Sequence, residues 1–114
     1  MNFLKVYSCT RQVVNASGDG IMSRQIRAKA VISGKVQGVC FRAETQQAAL
    51  LNRVTGWLRN CRNGTVEALF EGDEPAVEAM LKWCRKGAPF SEVHQVDVKR
   101  EDYIGEFDRF EIVR

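Results

Sequence analysis

Apolar residues recur along most of the chain at the two spacings that are typical of strands and helices. Residues 27–33 alternate between apolar and polar side chains, which predicts a β-strand. Residues 41–52 are rich in Ala, Gln, Glu and Leu and contain neither Gly nor Pro, a composition that favours a helix. A loop with two glycines joins these segments. The apolar face of the predicted strand consists of Ala28, Ala30 and Ile32.

A second helix is predicted between Asp73 and Gly87. Asp73 is a suitable N-cap residue, Pro75 fits the first helical turn, and Gly87 is suited to close the helix. Four apolar residues recur at spacings i, i+3, i+4 and i+7, which predicts a stripe that faces the core. These residues are Val77, Met80, Leu81 and Cys84.

Between the two helices, two strand-like runs predict a β-hairpin. Residues 55–61 and 65–71 are separated by three residues that end in Asn63-Gly64. This dipeptide suits a type I′ turn, because both residues tolerate positive φ. The even-numbered residues of the first run, Asn60 among them, share one face of the predicted strand.

Two further strands are expected near residues 93–98 and 107–113, so the order is β-α-β-β-α-β with an additional C-terminal strand. This order predicts an α+β, ferredoxin-like split β-α-β fold with two helices on one face of an antiparallel sheet. Residues 1–24 carry a cluster of turn-forming residues and no apolar period, which predicts a disordered N-terminal extension before a domain at residues 25–114. No stretch has the apolar length of a secretory signal or a spanning helix, so we expect a cytoplasmic protein without membrane contact.

The composition is that of an ordinary globular domain, but its charges are unevenly distributed. Of 114 residues, 45% are hydrophobic and 27% are charged. Four cysteines without a CxxC pair and a single histidine, His94, argue against a disulfide scaffold, a histidine-rich metal site and a histidine-based triad. Residues 25–62 hold seven basic residues and one acidic residue, whereas residues 63–114 hold seven basic and twelve acidic ones. Unless the two regions interleave in space, the first is suited to bind an anion.

The loop before the first helix carries the clearest chemical signal. Residues 34–42 read GKVQGVCFR, a strand-to-helix turn with two glycines and an arginine at the helix entry. Glycines let backbone N–H groups converge on a ligand, and the first turn of a helix offers unpaired N–H donors at the positive end of its dipole. The guanidinium of Arg42 adds a charged fork that matches a phosphate or a carboxylate. These features predict a phosphate-sized oxyanion site, although the loop is neither a Walker loop nor a GxGxxG motif.

This loop and the hairpin together resemble the acylphosphatase family. The strings GKVQGVCFR and TGWLRNCRNGTVEALFEG and the closing FEIVR fall at family-like spacing, and the resemblance covers about residues 26–114. It implies that Arg42 binds the substrate phosphate and that Asn60 orients the attacking water. It also implies that backbone amides of the loop complete the phosphate site. The loop residues are Gln37, Gly38, Val39, Cys40 and Phe41.

The activity that the resemblance implies is hydrolysis of acyl phosphates to a carboxylate and inorganic phosphate. The implied enzyme is a small monomer without a metal or cofactor, and inorganic phosphate is its product and expected competitive inhibitor. An acyl phosphate already has a carboxylate leaving group, so the site has only to hold the phosphoryl group and place one water in line. One departure concerns the end of the first helix, where the family has Leu-Gly-Leu and this chain has Asn52-Arg53-Val54. Without that glycine, Asn52 is the candidate for the left-handed cap position.

Purely structural interpretations of the same residues remain open. Arg42 could pair with Glu44, and Asn60 could be an ordinary residue before a turn, which is the favoured interpretation from spacing alone. His94 is expected on the surface of a strand, and Cys40 is expected to fill space in the loop.

Two alternatives to an acyl phosphate hydrolase are a non-catalytic binding module and a domain that handles carbamoyl phosphate. A non-catalytic ferredoxin-like module could bind phosphate, or bind nucleic acid by stacking bases on aromatic residues of the sheet. The sequence lacks the required RNP-type aromatic string and its second half is acidic, so we expect no nucleic-acid binding. A domain that handles carbamoyl phosphate, which resembles acylphosphatase but usually sits within a much larger protein, is the other alternative, and the length of 114 residues argues against it.

Overall fold

The computed structural model describes residues 24–38 and 40–113. The predicted N-terminal extension therefore lies outside the described residues, apart from Arg24. Within the described part of the chain, no helix is long and apolar enough to cross a membrane. The strands are Gln25–Lys35 (β1), Thr55–Asn60 (β2), Val66–Asp73 (β3), Glu92–Glu101 (β4) and Phe110–Ile112 (β5), and the helices are Phe41–Leu51 (α1) and Glu74–Lys86 (α2).

The strands form one sheet in the order β4-β1-β3-β2-β5. The first four strands of this order pair antiparallel, whereas β5 pairs parallel with β2 at one edge. Both helices pack against the sheet and contact each other. The predicted α+β, ferredoxin-like fold with a C-terminal strand is therefore confirmed, but the sheet is mixed and not purely antiparallel as predicted, because the C-terminal strand pairs parallel with β2.

The hydrophobic core lies between the sheet and the two helices. The predicted inner face of β1 is fully buried, and so is the predicted stripe of α2. At the sheet edge, Phe70 stacks on Phe110 with ring centroids 5.5 Å apart, which packs β5 onto the core. Burial also raises the pKa of the Cys84 thiol to about 12, so this cysteine is a packing residue.

The turn between β2 and β3 differs from the prediction. Gly64 has a φ of 90°, but Asn63 does not have positive φ, so the type I′ assignment was wrong. The N–H of Gly64 donates to the Cys61 carbonyl at 3.1 Å, and the N–H of Cys61 donates to the Thr65 carbonyl at 2.8 Å. A type I turn followed by a left-handed glycine has these bonds, and loops of three residues favour it over the two-residue I′ turn.

The end of α1 also differs from the prediction, because Arg53 rather than Asn52 takes the left-handed conformation. Arg53 has a φ of 58°, whereas Asn52 has a φ of −91°. The N–H of Val54 donates to the Ala49 carbonyl at 2.9 Å, and the N–H of Arg53 donates to the Leu50 carbonyl at 3.2 Å. This bonding is a Schellman motif, in which the residue after the cap must be left-handed. An arginine thus occupies a position that favours glycine.

The beginning of α2 confirms the predicted N-cap position but not a capping side chain. Asp73 has an extended conformation at this position, and its carboxylate makes no bond to the helix. It accepts a hydrogen bond from the side-chain amide of Gln25 instead. The N–H of Glu74 finds its partner in the carbonyl of Arg24, at 2.8 Å. The helix start is therefore tied to the beginning of β1.

Residues 102–109, here called the crossing segment, connect β4 to β5. These two strands are the opposite edges of the sheet, so the segment must pass across it. Glu71 of β3 anchors the crossing: its Oε2 accepts the N–H of Ile104 at 2.9 Å and the N–H of Gly105 at 3.2 Å. The residues of β1 that point into the core have even numbers, so Arg27, which pairs with Glu71, points to the other face, away from the helices.

Arg27 and Glu71 form the centre of a charge network beneath this segment. Arg27 Nη1 lies 3.1 Å from Glu71 Oε2, and the side chains of the pair are only 12% and 1% exposed. Arg27 also pairs with Glu101 at 3.1 Å and with Glu106 at 2.8 Å. A buried charge is stable only when it is paired in this way. The network therefore fixes the crossing segment to the sheet.

Candidate active site

The loop after β1 is anchored in the core at its start and then turns sharply. Val36 is 1% exposed, so it holds the loop against the hydrophobic core. Gly38 and Cys40 then take left-handed conformations, with φ of 74° and 61°. A Cβ on Gly38 would meet no atom within 4 Å, so it is the backbone conformation rather than crowding that favours glycine here. Val39 lies outside the described residues, and its part in a phosphate site stays a prediction.

The first turn of α1 offers backbone donors beside a positive charge. Cys40 is the N-cap residue and makes no side-chain capping bond. The N–H of Glu44 is the donor that bonds the Cys40 carbonyl, at 3.1 Å, so the N–H groups of residues 41–43 precede the first bond of the helix. Arg42 lies in this turn and is half-buried. Within residues 24–38 and 40–113, no carboxylate pairs with Arg42, and the alternative pairing with Glu44 is absent.

Asn60 ends β2 with a buried oxygen that has no partner. The residues of β2 that share its face include Leu58, which is fully buried in the core. Arg59, which precedes Asn60, points to the opposite face and pairs with Glu67 at 2.7 Å. Asn60 Oδ1 is buried and accepts no hydrogen bond from residues 24–38 and 40–113. A buried acceptor without a partner costs about 1–3 kcal/mol, so such atoms are rare and often mark a place where a water or ligand binds.

The side chain of Gln37 joins the loop to the hairpin, which the sequence interpretation missed. Its Nε2 donates to the Cys61 carbonyl at 2.9 Å and to the Thr65 carbonyl at 2.8 Å. The family resemblance implies a role only for the backbone N–H of Gln37. A glutamine between two loop residues carries no signal that reveals a distant partner, so the residue pattern could not have shown this contact. The bond brings the start of the loop next to the residue that follows Asn60.

Three further chemically reactive side chains are His94 on β4, Cys40 in the loop and Cys61 at the hairpin turn. His94 is 65% exposed on β4 and pairs with Glu92 at 3.2 Å, as expected for a surface residue. Cys40 is exposed and Cys61 is half-buried, and neither forms a disulfide within the described residues. No group of three or more His, Cys, Asp or Glu residues in the described ranges is arranged to hold a metal ion.

The fold and the site together define a class of protein. It is a small ferredoxin-like domain in which backbone N–H groups and the guanidinium of Arg42 lie at a strand-to-helix loop. A model of the acylphosphatase family matches residues 28–112. An acylphosphatase of Pelotomaculum thermopropionicum is 55% identical over 91 residues, which are 80% of this chain and 98% of that relative. An acylphosphatase of Syntrophobacter fumaroxidans is 56% identical over 86 residues, which are 75% of this chain and 89% of that relative.

Solved structures agree with these matches. The crystal structure of acylphosphatase from Bacillus subtilis superposes with a TM-score of 0.75 at 34% identity, covering 78% of this chain and 99% of that one. The crystal structure of T. kodakarensis HypF superposes with a TM-score of 0.68 at 22% identity but covers only 12% of that chain, so this likeness concerns the fold alone. The chain belongs to the acylphosphatase family.

Proposed function

We propose that this acyl phosphate hydrolase cleaves the carboxyl–phosphate bond at the loop–hairpin junction, with Arg42 and Asn60 as its catalytic residues. The observation that carries the proposal concerns two segments that Gln37 ties together: among the described residues, the Arg42 guanidinium has no carboxylate partner and the buried Asn60 Oδ1 accepts no hydrogen bond. Unpaired polar groups of opposite character are costly in a folded protein unless a ligand completes them.

The phosphate would be held by the loop and the start of α1. Arg42 would bind two phosphate oxygens with its planar fork, and the N–H groups of residues 37–41 would bind the remaining charge. Left-handed residues within such a loop turn successive N–H groups towards one point, which supports this role for Gly38 and Cys40. Inorganic phosphate presents the same oxygens, so it should inhibit competitively.

The attacking water would be held by Asn60. Its free Oδ1 can accept one hydrogen bond from water without any change of protonation state. The water oxygen forms a bond to phosphorus as the bond to the acyl oxygen breaks, and the carboxylate leaves with the electron pair. The proton passes to a phosphate oxygen of the substrate. Because no side-chain base is used, kcat should be flat across neutral pH.

The experiment is the hydrolysis of an aryl acyl phosphate, followed by absorbance with a chelator present. Asn60→Ala should lower kcat by about 10²-fold or more, as does loss of a positioning group in other enzymes, while phosphate still inhibits. Asn63→Ala is the matched control, because it removes an amide only three residues away whose oxygen already accepts two bonds from Thr65. This control should leave kcat within about threefold of the wild type.

Three outcomes would contradict the proposal. Loss of activity with the chelator would contradict a metal-free reaction. A bell-shaped kcat profile centred between pH 6 and 7 would indicate a side-chain base. Phosphate binding without turnover would instead favour the non-catalytic phosphate-binding module.

The proposal extends to partners and location. On the sheet face away from the helices, the basic side chains Arg27, Lys29 and Arg59 are all paired with glutamates, so these three offer little free positive charge to nucleic acid. We expect no salt-dependent binding of RNA or DNA. We also propose a monomer in the cytoplasm, where the three free cysteines of the described residues would stay reduced.

A further inference from the structure

Gln37 contributes an uncharged NH₂ group that bonds two backbone carbonyls at once. The two carbonyls belong to Cys61 and Thr65, at 2.9 and 2.8 Å, so both hydrogens of the group are used. These residues close the hairpin turn, since the N–H of Cys61 also donates to Thr65. The bonds therefore tie the loop to the rigid base of the turn rather than to its exposed tip.

The sheet order explains why this bond matters for geometry. Strand β3 lies between β1 and β2, so the two strands that lead to the loop and to Asn60 are not hydrogen-bonded neighbours. Ile32 of β1 pairs with Val66 of β3, and Val66 pairs with Asn60 of β2. Strands are spaced about 4.8 Å apart, so Ile32 and Asn60 are separated by about 10 Å across the sheet. Gln37 spans the same gap directly from the loop.

The unpartnered oxygen of Asn60 makes its position critical. Asn60 Oδ1 is buried at the end of its strand, and Cys61, the next residue, accepts a bond from Gln37. We infer that the Gln37 side chain is a positioning residue, which sets the distance between the loop that holds the phosphate and the amide that holds the water. The inference rests on the proposed function, because it assumes the roles of Arg42 and Asn60.

No other common side chain fits this position equally well. An ionised glutamate would place acceptors against two carbonyl oxygens, and an asparagine would fall short by one methylene group. A lysine would bring a charge into a half-buried site. Glutamine alone supplies two donors on one planar, neutral nitrogen at this length.

The test is a double-mutant cycle with a matched control. Gln37→Met keeps the length of the side chain but removes both donors, and it should lower kcat by about 10- to 100-fold through misplacement. Inhibition by inorganic phosphate should change less than about threefold, because the loop and Arg42 still hold the phosphate. Gln46→Met is the control. It removes a comparable side-chain hydrogen bond, which runs from Gln46 of α1 to the Phe110 carbonyl of β5 at 3.0 Å. It should leave kcat unchanged.

In the Asn60→Ala background, Gln37→Met should lower kcat by less than about threefold, since the group that it positions is gone. If Gln37→Met lowers kcat by the same factor in both backgrounds, or raises KM with kcat unchanged, the inference is wrong. A wild type without acyl phosphate hydrolysis would instead overturn the proposed function itself, so the two failures are distinguishable.

A second variant covers the case in which Gln37→Met does not fold. Gln37→Glu has the same shape, and its carboxyl can donate one hydrogen bond only when protonated. Its kcat should rise as the pH falls, while the wild-type kcat stays flat. A Gln37→Glu profile that runs parallel to the wild-type profile would contradict a positioning role.

Discussion

The two ends of β1 differ in whether the charged and polar side chains near them have partners. At its beginning, Arg27 is surrounded by three glutamates and shares Glu71 Oε2 with two backbone N–H groups. At the loop beyond its other end and at the adjoining hairpin, the described residues include no carboxylate partner for Arg42 and no hydrogen-bond donor to the buried Oδ1 of Asn60. Glu71 Oε1 also lacks a partner, but its carboxylate is already engaged through the other oxygen.

This contrast separates a structural arginine from a functional one. Charges that satisfy each other stabilise the fold and leave nothing for a ligand, whereas groups left unsatisfied cost stability and are retained where they bind something. If the contrast is valid, mutations at the two ends should affect different quantities. Loop–hairpin mutations should change activity at constant stability, and network mutations should change stability at constant activity.

The largest expected effect is on activity at the loop. Arg42→Ala should lower kcat/KM by about 10³-fold, since it removes the charged fork from the phosphate, and it should weaken inhibition by phosphate. The free energy of unfolding should change by less than about 0.5 kcal/mol, because Arg42 has no ion pair to lose within the part of the chain that the structure describes. Arg100→Ala is the control, since it removes an exposed arginine paired with Glu78. If Arg42→Ala and Arg100→Ala lowered kcat/KM by the same factor, the loss would not be specific to Arg42, and the distinction between a functional and a structural arginine would be wrong.

The converse effect is expected at Glu71. Glu71→Gln removes the most buried of the three carboxylates that pair with Arg27, and it should lower the free energy of unfolding by about 2 kcal/mol in urea denaturation. Activity measured well below the unfolding temperature should be unchanged. Glu78→Gln, which breaks an exposed pair with Arg100 at 2.7 Å, should cost less than about 0.5 kcal/mol. A Glu71→Gln variant as stable as wild type would show that the network is not stabilising.

The same carboxylate should make stability depend on pH. Burial alone would raise the pKa of Glu71, but the N–H groups of Ile104 and Gly105 and the Arg27 guanidinium outweigh it, and the pKa is lowered. A folded pKa below the unfolded one gives stability that is complete above about pH 5 and is lost as the pH falls through the folded value. The difference in unfolding free energy between wild type and Glu71→Gln should therefore narrow from pH 6 to pH 3. A constant difference would show that Glu71 does not titrate with unfolding.

The smallest effect is expected at the end of α1. Arg53→Gly should raise the free energy of unfolding by about 1 kcal/mol, because glycine takes φ of 58° without the strain of a side chain. Asn52→Gly, one residue earlier at φ of −91°, should destabilise the protein instead, because it gains no relief and loses a side-chain bond. The two variants should show equal activity, since this helix end lies away from the loop. Stabilisation by both would contradict the assignment of the cap.

Local chemistry explains both the successes and the errors of the sequence interpretation. The buried face of β1 and the stripe of α2 were predictable, because side-chain periods of two and 3.6 residues follow from the backbone geometry itself. The turn type was wrong because Asn63-Gly64 suits two different turns, and the number of loop residues decides between them. The prediction that Asn52 is the left-handed residue was wrong, because the position of that residue depends on which helix carbonyls the N–H groups of Arg53 and Val54 reach.

The order of the elements, the buried faces and the arginine at the helix entry can all be derived from the amino-acid sequence, since each depends on neighbours within a few residues. The roles of Arg42 and Asn60 came from family-like spacing and stay predictions until they are measured. The tertiary structure alone reveals the parallel pairing of β5, the Glu71 anchor of the crossing segment and the Gln37 bond to the hairpin. Each of these joins residues that are far apart in the chain, and no local propensity encodes which distant groups meet once the sheet has formed.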